Sequence, residues 1–360
     1  MRGRLSLLFC AALCLITINL LAEANWTCDT SGPIPFKEGE KWGYLSGEGI
    51  VIPPRFDLAN RFTKDGAIVC VAKRCGVIDK TGAFRTPLVS PLQISILIKH
   101  SEGPEPIERD GKWGYVNRLG QIVIPYQFEA AEPFDQGIAR VSLGKKIFFI
   151  NRAGEKVTQD FDGVFNFSED LAAVDVAGKI GYIRRDGSVA LPPIYHSASG
   201  IDFSDGLVAV RIDKKVGFMD AGGSVVIEPA YDDVYPFSEG LAPVRSGEKW
   251  GYIDKNGRIV IPIQYEIGHM FSEGVASVVL GNKWGYIDHN GTFVVPPTFE
   301  SAMPFCAGVA EVATYRIVGQ DTSHGCRAGR LKGKRGFIDH TGHYVWRDAE
   351  EAEWNSPFCF

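Results

Sequence analysis

Aspartate recurs at Asp79, Asp220, Asp254, Asp288 and Asp339. Two carboxylates facing one cleft can share general acid and base work. Each of these five, however, stands three residues before a glycine, where an aspartate bonds the amides of a tight turn. Turn building accounts for all of them, and none is assigned as catalytic. His340 and His343 have a spacing that metal sites use, yet His340 aligns with His289 and Lys255, and no further ligands lie near it in sequence. No metal and no cofactor is expected. The nucleophile-elbow, zinc-protease, phosphate-loop and dinucleotide motifs are absent from the chain.

One stretch does concentrate charge. Residues 314–334 hold Tyr315, Arg316, His324, Arg327, Arg330, Lys332 and Lys334, and Arg335 follows. On a chain of net charge −5 this is a local cationic patch, suited to an anion or an acidic polymer. Tyr315, Arg316, His324, Arg327, Arg330 and Lys332 are therefore the candidate partner-binding residues. The competing reading is a solvated loop with ordinary lysines and arginines.

Arg2 and Arg4 precede an apolar run from Leu5 to Leu21 that ends in Ala22-Glu23-Ala24. That order predicts a secretory signal cleaved after Ala24, with a retained anchor as the rival. Loss of Arg2, Arg4 and Glu23 moves the charge from −5 to −6, which disfavours nucleic acid as a partner. Cys10 and Cys14 leave with the signal, and six cysteines remain: Cys28, Cys70, Cys75, Cys306, Cys326 and Cys359. An even count in an exported chain favours disulfides. Cys70 and Cys75 flank a short connection, Cys306 and Cys326 bracket most of the basic stretch, and Cys28 with Cys359 would tie the ends together, the alternative being that one or both remain free thiols. Asn25, Asn166 and Asn290 match the glycosylation acceptor pattern, which matters only in a eukaryotic host.

The elements that position these residues are set by a repeat. A glycine anchor recurs at Gly43, Gly76, Gly114, Gly181, Gly217, Gly251, Gly285 and Gly336, with Phe148 in its place in a ninth copy. The intervals are 33, 38, 34, 33, 36, 34, 34 and 51 residues, so only the last holds a large insertion. The fullest copies begin Lys249-Trp250-Gly251-Tyr252-Ile253-Asp254 and Lys283-Trp284-Gly285-Tyr286-Ile287-Asp288. A β-branched stretch ending at proline follows, and then a phenylalanine-to-glycine turn such as Phe271-Ser272-Glu273-Gly274. Residues 85–110 lack that turn, and the copy there is expected to be distorted.

With these motifs the chain resembles the WG-repeat family, from Phe36 to Val345. Tryptophan itself survives at Trp42, Trp113, Trp250 and Trp284 and is replaced elsewhere by Cys75, Ile147, Ile180, Val216 and Arg335. The resemblance implies interaction modules of no fixed partner, mostly in bacteria.

About a dozen residues separate successive turn signals, which leaves room for strands and little for helices. The expected fold is all-β, about nine units of three strands each, stacked because one small hairpin cannot bury its own apolar face. An open twisted stack is preferred over a closed propeller, whose blades have four strands. The expected organisation is a signal at 1–24, an N-terminal segment at 25–35, the repeats at 36–346 and a C-terminal tail at 347–360. The expected function is non-enzymatic: an exported surface that binds a protein or polysaccharide in the cell envelope. An envelope glycan-active enzyme, with its site assembled between repeats, is the alternative.

Overall fold

The computed structural model describes residues 32–63, 66–89, 104–117, 119–196, 202–321 and 328–359, with side chains except at 317, 319–321, 328–330 and 354–359. Among them the chain forms nine small antiparallel sheets in tandem, as the period predicts. Sheet 7 shows the pattern most fully: Asp233–Val234, Leu241–Ser246, Lys249–Asp254 and Ile259–Tyr265 pair in that order. Sheet 8 repeats it with Ile267–Gly268, Ala276–Leu280, Lys283–Ile287 and Phe293–Phe299.

The two middle strands carry the core. Leu241, Ala242, Val244, Tyr252 and Ile253 are all buried. Asp254 turns the chain by accepting the amides of Asn256 and Arg258 at 2.9 Å, and Gly257 completes the turn at φ 77°. The fourth strand then returns with two irregularities. Tyr252 faces Ile261 while Ile253 faces Ile259, so Val260 is an extra, bulged residue. Trp250 faces Tyr265, so the strand arches between Ile261 and Tyr265 directly over Gly251. A Cβ on Gly251 would lie 2.7 Å from the Ile261 carbonyl oxygen and 2.8 Å from the backbone of Ile263. The glycine of the motif is thus fixed by a backbone that crosses above it, and the proline at the arch marks where no ladder bond is made. Where Phe148 replaces this glycine, sheet 4 (Ala130–Ala131, Ile138–Leu143, Lys146–Asn151) has no fourth strand, only the isolated bridges Ile147–Phe161 and Ile150–Lys156.

Sheet 2 (Leu58–Ala59, Ala67–Val71, Arg74–Ile78), sheet 3 (Glu105–Arg109, Lys112–Val116, Ile122–Phe128) and sheet 6 (Leu207–Ile212, Lys215–Asp220, Val225–Tyr231) have the expected three strands, but three was an undercount for sheet 5 (Gly163–Ser168, Leu171–Val176, Lys179–Arg184, Val189–Tyr195) and for sheets 7, 8 and 9. The segment after each fourth strand, such as Ile267–Gly268, pairs with the next unit and supplies its first strand. Each such sheet therefore draws on two consecutive copies, which gives it the four strands of a propeller blade.

The open stack is corrected at its ends. Sheet 1 (Ile34–Glu38, Lys41–Ser46, Gly49–Phe56) packs on sheet 9, whose main strands are Ala310–Asp321, Ala328–Ile338 and Tyr344–Arg347. The Gly47 amide donates to the Ala307 carbonyl at 3.1 Å, and the Phe36 ring meets Trp346 edge-on at 5.6 Å. Phe36, Leu45, Val309 and Phe337 form one buried cluster there. Burial of this apolar area drives the ends together.

Candidate functional site

Most seams between sheets are built alike. The aromatic after the motif glycine inserts against the phenylalanine of the next sheet's turn: Tyr44 on Phe62, Tyr115 on Phe134, Phe149 on Phe167, Tyr182 on Phe203, Phe218 on Phe237, Tyr252 on Phe271 and Tyr286 on Phe305, with centroids 4.7–5.7 Å apart. Where the residue is tyrosine its hydroxyl also finds a partner across the seam, as Tyr252 donates to the His269 carbonyl at 2.8 Å and Tyr286 to that of Met303 at 2.7 Å. Burial holds the Tyr252 and Tyr286 hydroxyls well above the ordinary tyrosine range, so both stay protonated donors.

The Phe-Ser-Glu-Gly turns link hand to hand along one end of the sheets. Ser204 donates to the Phe237 carbonyl at 2.6 Å, Ser238 to Phe271 at 2.8 Å and Ser272 to Phe305 at 2.7 Å. The neighbouring acid accepts the next turn's glycine amide: Asp205 from Gly240 at 2.8 Å, Glu239 from Gly274 at 3.1 Å, Glu273 from Gly308 at 2.9 Å. The same acids meet a histidine of a neighbouring turn, as in His289–Glu239 at 3.1 Å and His340–Glu273 at 3.6 Å. His289 also stacks on Phe271 and His340 on Phe305, at 4.3 and 4.1 Å. At the other end Lys215 pairs with Asp232, Lys249 with Glu266 and Lys283 with Glu300. The Asp232 carboxyl is held below its ordinary range, chiefly by the Lys215 hydrogen bond and then by the Gly247 amide. These acids and bases are structural partners of one another.

The turn aspartates do what the sequence assigned to them. Asp79 accepts from the Thr81 hydroxyl and amide and from the Ala83 amide, and the Thr81 hydroxyl leads in holding its carboxyl low. His343 bonds Thr341 at 2.6 Å, and among the described residues no His, Cys, Asp or Glu cluster has metal-binding geometry. A surface depression of about 420 Å³ lies between the turns of sheets 5 and 6, lined by Glu169, Asp170, Arg184, Arg185, Asp186 and Ala221, and its Arg185 is already paired with Asp135 and Asp170.

The basic stretch is an extended hairpin. Ala310–Asp321 and Ala328–Ile338 pair along nearly their whole length, with one register shift between Ile317 and Gly319. Arg316 and Lys332 face each other in that register, and the hydroxyl of Tyr315 lies 3.5 Å from the Glu300 carbonyl. Arg330 pairs through its backbone with Gly319 and Asn355. His324, Arg327, Cys326 and Cys28 lie outside the described residues. The residues that sequence reasoning missed are acidic. Glu351 receives both terminal nitrogens of Arg316 at 2.9 Å, Glu353 stands 3.8 Å from Lys332, and the Asp348 carboxylate accepts the Arg335 amide at 2.9 Å. Lys334 donates to the Ala349 carbonyl at 2.6 Å. The signal was present as an acidic run, Asp348 to Glu353, which follows the basic stretch after residues 336–347.

Cys70 and Cys75 form the expected disulfide, on directly opposed positions of Ala67–Val71 and Arg74–Ile78. Cys306 is also disulfide-bonded. Cys359 is opposed to Ala328 in the sheet register.

A family model described as WG containing repeat matches seven segments, 42–74, 113–146, 147–179, 180–215, 217–250, 250–284 and 284–313, which together make up well over half of the chain. The chain belongs to this WG-repeat family. No curated protein matches it. Among solved structures it is similar to a eukaryotic initiation factor, 11% identical over 89% of this chain and 97% of the other, with a TM-score of 0.49. PorZ, a surface component of the type-IX secretion system of Porphyromonas gingivalis, is 12% identical over 84% of this chain and 45% of its own, with a TM-score of 0.30. Hsv2p of Kluyveromyces lactis is 13% identical over 71% and 91%, also with a TM-score of 0.30. In this WG-repeat chain the glycine is kept for the arch above it, while the tryptophan position varies from Trp250, which is buried, to Arg335, which is paired with Asp348.

Proposed function

We propose that this WG-repeat chain is an exported, non-catalytic protein that presents its repeats to a protein or polysaccharide partner in the cell envelope. The observation that carries this reading is a repeated apolar surface on the fourth strands. Ile50 and Val51, Ile122 and Val123, Val225 and Val226, and Ile259 and Val260 are all exposed, as are Val189 and Val294. In each sheet the second residue of the pair is the bulged one, so the same chemistry recurs at the same geometry from sheet to sheet. A recurring apolar pair on an edge strand suits contact with a long partner better than it suits turnover of a small one.

The test compares residues 25–360 with a variant carrying Val226→Ser, Val260→Ser and Val294→Ser. Each is measured for co-sedimentation with purified envelope polysaccharide and for crosslinking to envelope proteins. At least a tenfold loss of retention in the variant is expected. Equal retention, or hydrolysis of envelope glycan by the unmodified protein that a single Asp or Glu substitution abolishes, would overturn the reading.

A further inference from the structure

The hairpin of sheet 9 is about twice as long as its counterparts. Its strands run 12 and 11 residues, against 6 and 6 in sheet 7. Ala310 to Val312 and Gly336 to Ile338 sit at the level of the ordinary core, and the remainder projects beyond it. The outer edge of the second strand is shared. Tyr344–Arg347 covers it from Gly336 to Ile338, as any fourth strand would, and Ala352–Cys359 covers it from Ala328 to Gly333. The added segment is acidic and the edge it covers is basic: Glu351 meets Arg316, Glu353 meets Lys332 and Asp348 meets Arg335.

We propose that the projecting edge of this hairpin is a docking strand for an acidic, extended peptide of a partner protein, and that residues 348–359 occupy it in cis. Two features make the occupant exchangeable. The ion pairs are exposed, with Arg316 at 60% and Glu351 at 40%, and Lys332 at 38% and Glu353 at 48%, where such a pair adds little and is screened by salt. The backbone pairing shifts register between Ala328 and Arg330, and Pro357 supplies no amide to it. Main-chain bonds along a sheet edge confer affinity on any extended segment, and the cations Arg316, Lys332 and Lys334 select an acidic one. The tail is thereby both the resident occupant and the template for the partner. The proposal builds on the binding reading above and adds a second surface to it.

The probe is a fluorescent peptide of sequence 348–360 carrying Cys359→Ser. The receptors are the full chain with Cys359→Ser and a chain ending at Arg347. Saturable binding to the shortened chain is expected, at least tenfold tighter than to the full chain. It should weaken at least tenfold on Arg316→Glu with Lys332→Glu, and likewise on raising salt from 50 to 500 mM. A peptide with Glu351→Lys and Glu353→Lys should not bind. If the shortened chain lacks a cooperative melting transition, a full chain with Glu351→Lys and Glu353→Lys, whose tail is repelled from the edge, replaces it in the same titration. No binding to either receptor overturns the proposal, as does equal binding to the shortened and full chains. Binding of a polyuronate but not of the peptide also overturns it, since the edge is then a simple polyanion patch. Retention in the valine-to-serine experiment is independent of Arg316 and Lys332, so the binding reading can stand when this proposal fails.

Discussion

Two seams of this molecule invert the usual relation between sequence distance and contact. Sheets 9 and 1 are joined by Phe36 and Trp346, more than 300 positions apart, and Phe36 is only 2% exposed. Sheets 2 and 3 are neighbours in sequence, yet Ile107, which faces Gly114 as Phe36 faces Gly43, is 37% exposed, and Phe84 in the last part of sheet 2 is 43% exposed. Seven other seams carry an aromatic pair; at sheets 2 and 3 the aromatic is replaced by Val77. The described contacts thus run from sheet 3 through sheet 9 to sheets 1 and 2. Among the described residues, the seams with a large aromatic at the inserting position are the ones that bury it against the next sheet.

The sharpest way to break this comparison is to truncate its two equivalent residues. Phe36→Ala should cost about 3–5 kcal/mol, the range for losing a buried aromatic, while Ile107→Ala should cost less than about 1 kcal/mol. Urea denaturation of both variants decides it, and equal costs would mean that sheets 2 and 3 are packed as tightly as sheets 9 and 1.

A third seam, between sheets 7 and 8, adds a pH readout. His269 is half-buried beside Trp284 with its Nδ1 3.0 Å from the Ser277 hydroxyl, and desolvation draws its imidazole from 6.5 down to about 4. The folded state therefore holds fewer protons than the unfolded state between those values. Stability is complete above about 6.5, falls as pH drops through the window and levels off near 4, by about 3 kcal/mol in all. His269→Gln should flatten that part of the profile in thermal melts between pH 4 and 7, whereas Phe36→Ala should lower the profile without changing its slope there.

Reduction of Cys70–Cys75 should cost roughly 2 kcal/mol, because the loop it closes is short. If sheet 2 is stabilised mainly from sheet 1, this loss and that of Phe36→Ala should add in the double perturbation. The smallest effect belongs to the exposed ion pairs. Lys41→Met, which frees Asp57 beside the Ala72 amide at the seam of sheets 1 and 2, should leave the midpoint of the same urea titration within its error.

The sequence foretold the parts that repeat. Period, turn aspartates and motif glycines are local signals, because each describes a backbone conformation, while most of the stretch at 85–110 expected to be distorted lies outside the described residues. It also located the cationic residues, including Arg316 and Lys332, but not what they face. Their partners Glu351 and Glu353 lie in a tail with no repeat signature, and the pairing of Ala352–Cys359 with the hairpin has no local cue. The four-strand sheets were miscounted for a related reason. Ile267–Gly268 is only two residues long, too short to carry an alternation pattern, and its role becomes visible only from its partners Val278 and Val279.

The contact of sheet 1 with sheet 9 also orders events in time. A chain made from its N-terminus exposes Phe36 and Leu45 hundreds of residues before Phe337 and Trp346 exist to cover them. Every other described seam can form as soon as the next unit emerges, while this one waits for the last unit and carries the largest loop-closure cost. During that interval the first sheet offers a sticky, unpaired face to any chaperone or neighbouring chain. The slowest phase of refolding should therefore be sensitive to Phe36 and indifferent to the aromatic pairs of the middle sheets.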